Sequence, residues 1–107
     1  MLQRAIAFAR GNYEHVVVLS IPDWGVTGFA KARNTDQEKI ATEIDAYNAA
    51  KKAICDKYEV AFIDITEEYR QIGGQEEMMA SDRLHPSGLV YTRWTEKLLE
   101  EVKKINF

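Results

Sequence analysis

Val16-Val17-Val18-Leu19-Ser20-Ile21-Pro22 decides the fold. A β-branched apolar run stopped by a proline reads as a short strand buried on both faces, the pattern of a parallel sheet. A second run, Val60 to Ile65, has the same character. Between them, Thr35 and Glu38 have the spacing of a capping box, which predicts a helix start. Ile40, Ile44, Tyr47, Ile54 and Tyr58 continue that helix with a core-facing stripe. Lys51, Lys52 and Lys57 lie toward its C-terminal end, where positive charge suits the helix dipole.

Working outward, Leu2, Ala5, Ile6 and Ala9 share one helical face, and Gly11 sits where a helix end calls for positive φ. Residues 22–34, with Pro22, Gly25 and Gly28, read as a loop. Residues 66–86 read as mostly loop, with one helical turn after Thr66 interrupted by Gly73-Gly74. Tyr91, Trp94, Leu98, Val102 and Ile105 place a last helix over about Ser87 to Lys104. Strands alternating with helices imply right-handed crossovers and an α/β fold with parallel strands. Two strands make a poor sheet, since such sheets have about four to six. The pattern therefore leads us to expect further strands upstream of Met1.

The chain has 107 residues, enough for one domain spanning 1–107. Its net charge of -3 is scattered, which leaves no basic stripe for nucleic acid and no polybasic segment for a membrane surface. No stretch approaches the roughly 20 apolar residues of a membrane span, and Met1 to Arg10 lacks the apolar run of a signal peptide. Cys55 is the single cysteine, which excludes an intrachain disulfide and a cysteine-based zinc site. It falls on the apolar side of the long helix, as inert packing does. Neither a cofactor nor a metal is expected.

Asp82-Arg83-Leu84-His85-Pro86-Ser87 carries the chemistry. It lies in a loop beyond the second strand, on the side of a parallel sheet where ligands bind. An Asp close to a His can fix the imidazole tautomer and stabilise its protonated form, as a general base for a hydroxyl nucleophile requires. The spacing alone equally fits a turn capped by Asp82 or Ser81, with His85 on the surface before a proline.

With Tyr91 and Trp94 after it, this stretch resembles the last block of SGNH (GDSL-type) hydrolases, in which Asp and His sit three apart on one loop. Leu19-Ser20-Ile21-Pro22-Asp23-Trp24-Gly25-Val26-Thr27 and Ile44-Asp45-Ala46-Tyr47-Asn48 resemble lysophospholipase-like bacterial members. The resemblance covers roughly residues 15–104. It implies a partial flavodoxin-like three-layer sandwich holding strands four and five, with the first three strands absent. It also implies carboxylic ester hydrolysis through an acyl-enzyme, with His85 as base, Asp82 orienting it and a small-molecule ester as substrate.

The sequence departs from that family in having no G-D-S block, and Asn12, Asn34, Asn48 and Asn106 stand outside the family's oxyanion context. Ser20 lies in the buried run, and Ser87 reads as the N-cap of the last helix beside Ser81 and the motif. Asp23 and Asp64 stand at strand C-terminal ends, where carboxylates commonly bind turn amides. His15 precedes the first strand, at the opposite end of the sheet, and so is not expected to share a metal with Asp82 and His85. Trp24 is a candidate for lining the substrate pocket. The chain alone is therefore expected to be inactive. Its expected partner is a second copy, forming a homodimer through the exposed edge of Val16–Ile21, or its own N-terminal half. The alternatives are a catalytically dead binding or assembly module, and an unrelated βαβ domain with a chance D-x-x-H.

Overall fold

In the computed structural model, which describes residues 1–105, two short parallel strands form the centre of the chain. β1 (Val17–Leu19) pairs with β2 (Ala61–Ile63), with Val18 opposite Phe62. The crossover between them is α3 (Gln37–Lys57). The ladder is shorter than the apolar runs because side chains take over its hydrogen bonds. Ser20 N–H still donates to the Ile63 carbonyl (2.9 Å), but Ile21 N–H donates to Asn48 Oδ1 (2.8 Å). On the other strand, Ile65 N–H donates to Ser20 Oγ (2.8 Å).

α3 begins one residue later than the capping-box reading. Asp36 is the N-cap and accepts from Lys39 N–H (3.0 Å), while the Thr35 hydroxyl donates back to the Ala30 carbonyl (2.9 Å). A carboxylate acceptor at the cap suits the positive helix end at least as well as a hydroxyl. α1 (Leu2–Phe8) ends as expected, with Gly11 at φ +79° and its N–H donating to the Ile6 carbonyl (2.9 Å).

The loop after β1 is more ordered than its composition suggests. Asp23 accepts from Gly25 N–H (2.8 Å) and caps a 3-10 turn, Trp24–Val26. The Thr27 hydroxyl accepts from Ala30 N–H (3.3 Å) and caps α2 (Gly28–Ala32). After β2 comes α4 (Thr66–Ile72), which is two turns where one was expected. A 3-10 turn (Glu76–Met78) and α5 (Gly88–Lys103) are the last described elements.

One sheet face is covered by α1 and α3, where Val16, Cys55 and Val60 pack with Leu2, Ala5, Ile6 and Phe62. α5 contacts the sheet through β2 and buries Val90 completely. The expected burial of both strand faces is not reached: all three residues of β1 and all three of β2 are part-exposed. The predicted stripes are likewise only partly covered: Tyr47 is 66% exposed, and Tyr91 stays 49% exposed although Trp94, which meets its ring, packs on Tyr69 of α4. Along the outer edge of β1 runs an apolar groove of about 470 Å³, walled by Leu2 and Ala5 of α1 and by Ile54 and Tyr58. No described helix is long and apolar enough to cross a membrane.

Candidate active site

The segment 79–86 folds back on itself. Met79 bridges Pro86 in antiparallel fashion, Ala80 N–H donates to the His85 carbonyl (2.8 Å), and Arg83 N–H donates to the Ala80 carbonyl (2.9 Å). This closes a six-residue turn with Asp82 near its tip. Arg83 completes the turn in the left-handed region, at φ +59°. That conformation costs a non-glycine residue about 1–2 kcal/mol.

The geometry turns two amides inward. Asp82 Oδ1 accepts from Leu84 N–H and from His85 N–H, both at 3.0 Å. Asp82 Oδ2 contacts His85 Nδ1 directly. The hydrogen bond to His85, helped by the two amides, lowers the Asp82 carboxyl from 3.8 to about 2. The carboxylate is thus ionised at neutral pH and committed to one imidazole nitrogen. Both side chains are solvent-accessible, and His85 Nε2 has no hydrogen-bond partner among the described residues. An Nδ1–H held by a carboxylate, with Nε2 bare, is the tautomer that can accept a proton from a hydroxyl.

The other candidates are otherwise engaged. Ser20 Oγ is buried, accepts from Ile65 N–H and donates to Asp64 Oδ1 (3.2 Å). Asp64 also accepts from Thr66 N–H (2.8 Å), so it serves a turn amide. Ser87 occupies the N-cap position of α5, but its hydroxyl makes no cap bond and donates instead to the Glu77 carbonyl (2.8 Å). Ser81 is exposed on the turn itself. His15 lies in the 3-10 turn before β1, away from the site, and no group of three or more metal-type ligands occurs among the described residues. Of the asparagines, Asn48 ties α3 to Ile21 and Thr66, and Asn106 lies outside the described residues.

Two features escape a reading of the sequence. The turn is fastened to α2: Phe29 N–H donates to the Arg83 carbonyl (3.0 Å), and Gly28 N–H donates to Met79 Sδ (3.2 Å). The Arg83 guanidinium packs over Gly28, where a Cβ would lie 2.6 Å from Nε and would turn that exposed side chain aside. The loop carrying α2 is in turn held by Arg70, whose Nε donates to Asp23 Oδ2 (2.8 Å) while Nη2 pairs with Asp45 (2.9 Å). Arg70 and Asp23 are 47 residues apart, and no local pattern signals such a pair.

Residues 1–93 match the family model described as GDSL-like lipase/acylhydrolase. The chain belongs to that family. No curated protein and no solved structure matches it. The parallel α/β architecture fits a partial fold of this hydrolase family, whose members act on acyl groups.

Proposed function

We propose that this chain carries the Asp–His part of the catalytic apparatus of a carboxylic ester hydrolase, close to the lysophospholipase-like bacterial members of the family. The contact between Asp82 Oδ2 and His85 Nδ1, with Nε2 bare, carries the reading. His85 Nε2 takes the proton from a serine hydroxyl as that oxygen attacks the ester carbonyl. The same proton then passes to the departing alcohol, leaving an acyl-enzyme that water hydrolyses by the reverse sequence. Asp82 holds the ring and offsets its positive charge. The sequence contains no G-D-S block, so the nucleophile in this proposal lies on chain outside these 107 residues.

The test is hydrolysis of a short p-nitrophenyl ester. The chain by itself should show no turnover above free imidazole, since even one missing oxyanion donor costs about 10²–10³ in rate. Joining it to a family segment bearing the G-D-S block should give activity that His85→Ala removes. Turnover by the lone chain that survives His85→Ala would refute the assignment. Failure of the joined protein to hydrolyse esters would favour the second reading, a binding or assembly module, which is supported by the lack of a hydrogen bond from any described serine hydroxyl to the His85 ring.

A further inference from the structure

The α2 segment touches both limbs of the Asp82–His85 turn. Gly28 N–H donates to Met79 Sδ at the base (3.2 Å), and Phe29 N–H donates to the Arg83 carbonyl at the tip (3.0 Å). The Arg83 guanidinium lies over Gly28, where a Cβ would meet Nε at 2.6 Å and Nη2 at 2.9 Å. Arg83 is the strained residue of the turn, at φ +59°. Its neighbours on either side make the site: Asp82 supplies the carboxylate, and Leu84 and His85 supply the amides that seat it. If Arg83 relaxed to negative φ, its carbonyl would swing away and those two amides would no longer converge on Asp82 Oδ1.

We propose that the Phe29 amide is a positioning group for the catalytic pair: it holds Arg83 in the left-handed conformation and thereby keeps His85 in the Nδ1–H tautomer. The inference rests on the proposed roles of Asp82 and His85 and names the element that sets their geometry. Among the described residues, neither Gly28 nor Phe29 hydrogen-bonds to the imidazole. The effect passes through the backbone of the turn, from Phe29 N–H to the Arg83 carbonyl and on to the Leu84 and His85 amides. The segment between Pro22 and Asn34 is thus a bracket for the opposite loop as well as a link between β1 and α3.

The tautomer is directly readable from the ring ¹⁵N shifts of His85 in the chain as it stands, with no need for activity. Phe29→Pro removes the N–H, and proline is tolerated in the first turn of a helix. Phe29→Leu keeps the N–H and changes only the ring. The unaltered chain should show mainly the Nδ1–H form, and Asp82→Asn should abolish that preference. Phe29→Pro should lower the ratio of Nδ1–H to Nε2–H tautomer at least three-fold, whereas Phe29→Leu should leave it within experimental error. Gly28→Val is a second perturbation that leaves both amides in place and forces the Arg83 side chain aside. Because the displaced guanidinium is exposed and the Phe29 N–H stays in place, the ratio should stay closer to that of the unaltered chain than in Phe29→Pro. An unchanged ratio in Phe29→Pro, or a loss in Phe29→Leu or Gly28→Val equal to that in Phe29→Pro, overturns the positioning role. A chain without any Asp82-dependent tautomer preference would instead overturn the catalytic pair itself, and the positioning role with it.

Discussion

Arg70→Met is the substitution that most directly tests how the site is held. Methionine keeps the length and much of the volume of the side chain and removes its charge and its donors. Asp23, whose side chain is 4% exposed, then retains, among the described residues, only the Gly25 amide as a side-chain partner. Removing one member of a buried ion pair costs about 3–5 kcal/mol, because the remaining charge is left dehydrated and uncompensated. The Arg70 side chain is itself 21% exposed. Water can therefore partly replace it, and the lower end of that range applies. The side chains of the flanking partners Asp45 and Glu67 are 60% and 74% exposed. Pairs as open to solvent as these add little. The expected loss is about 3 kcal/mol, a large share of the roughly 5–15 kcal/mol available to a typical domain.

Urea unfolding followed by far-UV circular dichroism measures this loss, and heating should show a fall in Tm of about 12 °C or more. The cause is separable from loss of packing. Asp23→Asn placed in the Arg70→Met background removes the stranded charge and should recover about 1–2 kcal/mol. A loss below about 1 kcal/mol would put the pair in the class of surface bridges. An Asp23→Asn change that adds to the damage would show that hydrogen bonding to the 3-10 turn matters more than charge. Either result would refute the reasoning.

Two shorter predictions concern acid and association. The Asp82 carboxyl is lowered from 3.8 to about 2. Its contribution is therefore complete above the ordinary carboxylate value and lost as pH falls through the lowered one; carbon-detected NMR should show Asp82 titrating at the lowered value and the 80–85 turn loosening across that window. We also propose that the free edge of β1 pairs antiparallel with β1 of a second copy about a two-fold axis at Val18. In that dimer Lys51 Nζ gives up the Leu19 carbonyl it now bonds at 2.9 Å. Sedimentation at tens of micromolar should show a dimer, and a compact monomer there would exclude this occupant.

The parts of the molecule that are legible in the sequence are those governed by short periods. The apolar runs around Val18 and Phe62 mark where the strands lie, and the Asp82–His85 spacing locates the turn. Both are interactions within a few residues, where side-chain chemistry and backbone geometry are coupled. Residues 22–34 read as a bare loop because the caps that order them, Asp23 and Thr27, sit among glycines and a proline that signal turns. The brackets around the site are not legible at all. Arg70 reaches Asp23 across 47 residues, and Phe29 meets Arg83 through backbone atoms that any residue but proline would supply.

The partial exposure of the strands has a different origin. Val17, Val18 and Leu19 have the composition of a central strand, yet β2 lies on one side of them and an open apolar groove on the other. Alternation along β1 sends the Ser20 N–H toward β2 and the Leu19 carbonyl outward, where a single lysine ammonium meets it. That lysine, Lys51, reaches over from α3 and satisfies one carbonyl, which leaves the Val17 and Leu19 amides facing outward along an otherwise unpaired edge. Strand composition and edge geometry therefore disagree at β1. The β1–β1 pairing proposed above would remove that disagreement, because Val17 and Leu19, whose backbone groups face outward, are the residues that an antiparallel partner strand about Val18 would bond.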